Sequence, residues 1–342
     1  MFLGKKLAVF GIALLLAGIC SAPAQAAAVH SGVTTVSVDL SGHNPAGEAE
    51  LWLPYPVSDN DQTITDIKVS GDFAASAVYT DKTYSTPMLY ARWNQGAASR
   101  KLVFSFKTER KEVIRRDFPA KEAAWDRADF AQYLAPSSIG PTDGEVGRLA
   151  KSITAGKTTV LEKAKAIYDW TCENTYRDPA TRGCGAGDVC ALLAKPGGKC
   201  VDIHSVFIAL ARAAGVPCRE VFGLRLGKKD KEDVTGWQHC WAEFYLPGYG
   251  WVPVDAADVR KAMLTENLKL QDQKTIDYRA YFWGGIDPYR VKLSMGRDLT
   301  LNPPQPGPPV NYLMYPFARI GDKVLDWLDP AGFKYTITYT TK

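Results

Sequence analysis

The sequence predicts an α+β protein, with a β-sandwich-like domain ahead of a mixed helix-and-sheet core. Three patterns carry that expectation. Polar and apolar residues alternate in several short runs of the N-terminal third. One strongly helical run occupies 203–214, and a hairpin pattern with a Pro-Gly loop follows at 237–256.

Taken in order, residues 1–26 read as an export signal. Lys5 and Lys6 supply the positive start, Leu7 to Cys20 is an uncharged apolar run, and Ala24-Gln25-Ala26 gives the small-x-small cleavage pattern. The run is too short for a permanent membrane span. A lipid-attachment reading of Cys20 is the lesser alternative, because Ile19 stands where such sites carry a small residue. The mature chain is therefore expected in the periplasm or outside the cell, with no permanent membrane span.

Residues 27–115 read as the β-rich domain. Thr34 to Leu40 and Lys101 to Lys107 alternate with period two, and Leu51 to Pro56 and Ile64 to Val69 lie between them. Gly, Asn, Asp and Pro clusters separate these runs, as in a sandwich. Residues 116–155, with Pro119, Pro136 and Pro141, read as a connecting segment with short helices. The core is expected over 156–265. Its first helix, Val160 to Asn174, repeats apolar positions at Leu161, Ala164, Ile167 and Tyr168. Thr181 to Lys199 is glycine-rich and holds Cys184 and Cys190. A second helix starts at Cys200, shows apolar positions at 203, 206, 207, 210, 211 and 214, and stops at Gly215 and Pro217. A strand at 220–226 and the hairpin complete the core. Residues 266–342 read as a β-containing extension, with a proline-rich loop at 303–309 and a last alternating strand at 334–340.

Bulk properties narrow the function. A chain of 342 residues is long enough for two or three folded units. The formal charge of +4, without a long Lys/Arg run, gives no footprint for nucleic acid. Gly183 to Gly187 lacks the order of a phosphate-binding loop, and Asp59-Asn60-Asp61 is too short for a calcium loop. No C-x-x-C pair suggests zinc, so neither cofactor nor metal is expected. Loss of the signal leaves six cysteines in a compartment that permits disulfides. A Cys184–Cys190 bridge stands beside a bridge from either residue to Cys172 or Cys240. Connectivity, Cys218 included, is not readable from sequence.

The chemistry points to Cys200. A thiol attacks an acyl carbonyl as thiolate, and a helix N-terminus favours that charge. Gly197 and Gly198 before it let the chain turn sharply and leave the sulfur approachable. The same amides could hold an oxyanion. If the hairpin pairs symmetrically about Pro247, His239 and Asp255 fall opposite each other, or nearly so, on one face that turns outward to a site. Cys240, Ala242 and Phe244 then face the core with Val252 and Val254. Each residue also has a bland reading: a structural thiol, a polar strand histidine, a strand-ending aspartate.

Two stretches resemble a known family. Gly198-Lys199-Cys200-Val201-Asp202 with Ala209 to Arg219, and Gln238 to Leu246 with Gly250 to Asp255, are similar to the motifs of the transglutaminase-like superfamily. The similarity covers roughly 150–260 and resembles bacterial exported members. It implies a papain-like core with a Cys–His–Asp triad at Cys200, His239 and Asp255. Some members take an oxyanion donor from an upstream aromatic; Tyr176 matches that position, with a packing tyrosine as the alternative. His204, one turn beyond Cys200, either lines the cleft or sits at the core edge. The implied activity is thiol-dependent acyl transfer on peptide or amide bonds of a protein or peptide substrate, with hydrolysis preferred over amine cross-linking. A catalytically inert binding or scaffold protein, with a cell-envelope target, is the alternative.

Overall fold

A computed structural model describes residues 27–44 and 46–342. The export signal expected at 1–26, and Cys20 with it, lies outside the described residues.

The period-two runs form strands, as their alternation dictates. Strand Val29–Asp39 buries Gly32, Thr34, Val36 and Val38 on one face. Val36 is flanked by Phe104 of Lys101–Lys111 and Ile337 of Lys334–Thr341. These three strands form a five-stranded sheet with Gln62–Gly71 at one edge and Glu232–Asp233 at the other. A second five-stranded sheet runs Lys323–Val324, Phe317–Ile320, Ala49–Pro54, Pro87–Trp93, Ala75–Thr80. Its Leu51, Leu53, Ala91 and Trp93 share one apolar cluster with Val36, Val38, Phe104 and Phe106 of the first. The two sheets therefore meet face to face as a sandwich. The C-terminal strands Phe317–Ile320 and Lys334–Thr341 each join one of these sheets, so the end of the chain completes its beginning.

The second region is built around one helix, Cys200–Ala213. It packs against a four-stranded antiparallel sheet ordered Gly250–Val254, Gln238–Leu246, Cys218–Arg225, Arg290–Met295. Helices Gly144–Ile153, Val160–Asn174 and Ala256–Thr265 cover its other sides. Every residue from Cys200 to Arg212 is buried. The apolar stripe read from sequence marks only one side of a helix enclosed all round. Its stop follows the Gly-then-Pro signal: Gly215 takes a positive φ of 79°, and Val216 N–H donates to the Ala211 carbonyl at 2.9 Å. Helix Val160–Asn174 begins with a reciprocal cap. Glu162 N–H donates to Thr159 Oγ1, and Thr159 N–H donates to Glu162 Oε2, each at 3.1 Å.

Among the described residues, no helix is long and apolar enough to cross a membrane.

Candidate active site

Cys200 opens its helix, as the sequence indicated, and the loops before it explain the local glycines. Asp202 reaches back, accepting Lys199 N–H at 3.0 Å and Gly187 N–H at 2.8 Å. That carboxylate, rather than a disulfide, fastens the 183–187 loop over the start of the helix; the six described cysteines are all free thiols. The fit is close enough that a Cβ on Gly185 or Gly198 would overlap Asp202. The outer flank of the loop is tied by Arg297, which donates to the Ala186 carbonyl at 3.0 Å and to Glu220 Oε1 at 2.7 Å.

His239 stands near the start of strand Gln238–Leu246, and Asp255 directly follows strand Gly250–Val254. The ladder pairs Ala242 with Val254 and Phe244 with Val252, so it is symmetric about Gly248, one residue beyond the expected centre. His239 is therefore not directly opposite Asp255. The contact closes diagonally, because Asp255 leaves the strand to start helix Ala256–Thr265. His239 Nε2 donates to Asp255 Oδ2 at 2.7 Å. The expected inner face of Cys240, Ala242, Phe244, Val252 and Val254 lies in the main apolar cluster. The pair does not turn outward to solvent, however: His239 is 2% exposed and Asp255 0%. Helix Ala256–Thr265 and strand Arg290–Met295 supply the groups that cover it.

Asp255 divides its work between its two oxygens. Oδ1 accepts Asp258 N–H at 2.8 Å, capping the helix, and lies 3.3 Å from His204 Nε2. Oδ2 takes His239 and, at 2.6 Å, the Arg290 guanidinium. Arg290 also pairs with Asp258 at 3.0 Å and with Asp287, while Arg225 pairs with Asp258. His204 is fully buried and does not line the cleft; it braces Asp255 and touches Cys240 Sγ at 3.4 Å. Burial alone would raise the Asp255 carboxyl, but His239 and His204 hold it well below the usual range. Burial and Arg225 push His239 down, yet Asp258 and Asp255 leave it raised. The neighbouring Cys184 and Cys240 thiols, with His239, outweigh burial and hold the Cys200 pKa well below that of a free thiol. The arrangement favours a thiolate beside an imidazolium.

A cavity of about 280 Å³ lies over Cys200 and His239, with Arg177, Cys184, Lys199, Arg225 and Lys261 among its walls. It shares Arg225 and Trp237 with a groove of about 910 Å³ lined by Tyr278, Tyr281 and Tyr289. Tyr176 is not in the cavity wall. Its short strand Tyr176–Arg177 runs parallel to Gly197–Gly198, and its ring lies on Gly197, where a Cβ would overlap it. Alternation turns the next residue, Arg177, to the cavity instead. Val201 N–H is already donated to the Cys184 carbonyl at 3.0 Å. Asp258, Arg290 and Arg225 had no motif to mark them, though Asp258 does fall three residues after an N-capping Asp255.

His239, Asp255 and Asp258 also bring three metal-ligand atoms within 4.8 Å of one another. Arg290 and Arg225 already neutralise those carboxylates, so a divalent cation would have to displace two guanidinium groups. Asp59 and Asp61, set aside above as a calcium loop, pair with Lys292 and Arg115.

Residues 147–256 match the family model described as the transglutaminase-like superfamily. The chain is 36% identical over 315 residues to an uncharacterized protein of Haemophilus influenzae, covering 84% of this chain and 85% of that protein. The crystal structure of a proposed cysteine protease from Cytophaga hutchinsonii superposes with a TM-score of 0.55 at 16% identity, covering 92% of this chain and 98% of that one. The periplasmic domain of TgpA from Pseudomonas aeruginosa gives a TM-score of 0.35 at 14% identity, over 70% of this chain and 90% of that one.

Proposed function

The chain belongs to the transglutaminase-like superfamily, and from that membership we propose that it is an exported cysteine hydrolase acting on peptide or amide bonds. The Cys200 thiolate attacks the carbonyl, the developing oxyanion is held by the Cys200 amide at the helix start, and His239 protonates the leaving amine. A Cys200 thioester results. Water, deprotonated by His239, then releases the acid and restores the thiolate. Asp255 fixes the imidazole through Nε2, leaving Nδ1 for the sulfur. The Tyr176 ring packs on Gly197, and its part is confined to holding the turn that presents the sulfur.

The observation that carries this reading is the His239–Asp255 pair at 2.7 Å beside a free Cys200 of lowered pKa under an open cavity. A protein using the fold only for binding has no need of that arrangement. Two measurements test it. Iodoacetamide labelling of Cys200 should be flat through neutrality, because the thiolate already dominates; a rate that climbs tenfold per unit up to about pH 8.5, as for an ordinary thiol, overturns the assignment. Incubation with a glutamine-containing peptide library and a labelled amine should release free acid faster than it incorporates amine. The reverse order makes the protein a cross-linker.

A further inference from the structure

The cavity over Cys200 is short of negative charge. Its wall contains Arg177, Lys199, Arg225 and Lys261, and no Asp or Glu. Arg225 is committed to Asp258. Arg177, Lys199 and Lys261 have no carboxylate within ion-pair distance among the described residues, and each is half-buried. They come from three separate elements: the short strand Tyr176–Arg177, the residue before the helix, and helix Ala256–Thr265. Beneath them Asp255, Asp258 and Asp287 meet Arg290 and Arg225, three carboxylates to two guanidinium groups, which leaves a single negative charge under the three cations. The thiolate is balanced by its own imidazolium. Burial, then the neighbouring Arg225, lowers the Lys261 ammonium against the opposing pull of Asp258 and Asp255, neither of which lies within ion-pair distance of it. The adjoining groove differs: Glu232, Asp277 and Asp287 stand there with its lysines.

We propose that the acyl donor is anionic, a peptide with a carboxylate next to the scissile carbonyl that Arg177, Lys199 and Lys261 receive. The proposal rests on Cys200 being the nucleophile. Half-buried cations in a narrow cavity focus the field and raise the local concentration of an anion. Because the groove beyond is mixed in charge, the selection is made beside the reacting bond. The carboxylate can be an acidic side chain or a C-terminal carboxylate.

The test compares two alkylating reagents on the full mature chain, iodoacetate and iodoacetamide. Both need the same thiolate, so their rate ratio cancels any change in Cys200 ionisation and reports charge alone. The iodoacetate/iodoacetamide ratio should fall on the order of tenfold in the R177Q/K261Q double variant and in wild type at about 1 M salt. K199Q provides an independent variant if the double variant misfolds. A ratio unmoved by these changes overturns the proposal while leaving the nucleophile in place. A Cys200 that neither reagent labels at neutral pH overturns the nucleophile, and the proposal with it. Three short peptides then compete with labelling: one with Glu and an amidated C-terminus, one neutral with a free carboxylate, one neutral and amidated. Stronger protection by the first or second names the source of the charge. Protection no better than that of the neutral amide overturns the substrate assignment.

Discussion

Strand Val29–Asp39 of the sandwich and strand Gln238–Leu246 of the core solve opposite problems. The first buries alternate positions and leaves its other face partly exposed. The second buries every residue but Tyr245, including Gln238, His239 and Glu243. A sandwich strand needs only apolar area on one side. The core strand carries groups whose burial is unfavourable unless each finds a partner, and the partners come from other elements: Asp255 for His239, Arg219 for Glu243. Both regions bury large apolar clusters, but the core adds a network of buried charges, and that network borders the thiol.

Substitutions in the two regions should differ in effect by orders of magnitude. The largest effect is on chemistry. Cys200→Ala or His239→Ala should each lower peptide hydrolysis about ten-thousandfold, with the double variant adding little. Clearly additive losses, measured on the best peptide from the library, argue against one catalytic unit. Next is the charge network. Arg290→Leu leaves Asp255, Asp258 and Asp287 short of a cation and should cost about 3–5 kcal/mol in urea unfolding, a loss the sandwich should not feel directly. It should also change acid stability. The native Asp255 carboxyl lies below its unfolded value of about 3.9, so its stabilisation is full above that pH and is lost as pH falls through the native value. Removing Arg290 should raise the native value and shift the acid-unfolding midpoint upward. The smallest effect belongs to the sandwich. Ile337→Val, on its inner face, should cost about 0.5–1.5 kcal/mol and leave Cys200 labelling unchanged. Altered labelling in that variant would mean the two regions are coupled.

This contrast also governs what could be read in advance. The sandwich strands follow from period two, and the helix from Cys200 follows from its apolar spacing and its Gly-Pro stop. Cys200, His239 and Asp255 were marked by their motifs, and hairpin symmetry placed the last two on one side within a single residue of register. The network around them was not legible. Arg290 opens an ordinary-looking alternating strand, and Arg225 ends another, so both look like solvent-facing cations until the tertiary fold brings the carboxylates to them. His204 reads from sequence as either a cleft-lining or a core-edge histidine; the whole helix is enclosed, and His204 faces Asp255 within it. The cysteines suggest bridges because an exported compartment permits them, while the 183–187 loop that holds Cys184 is fastened by Asp202 and Cys190 lies on the helix Val189–Ala194.

Asp255 ends one strand, caps the next helix with Oδ1 and orients the imidazole with Oδ2. An asparagine would cap the helix almost as well, since its amide oxygen accepts the same N–H. It could not carry the charge that Oδ2 supplies to His239. Replacing one oxygen by nitrogen would thus keep the cap but set an NH2 against the His239 and Arg290 donors, which puts a weakened, inert descendant a single nucleotide change away: GAT to AAT or GAC to AAC.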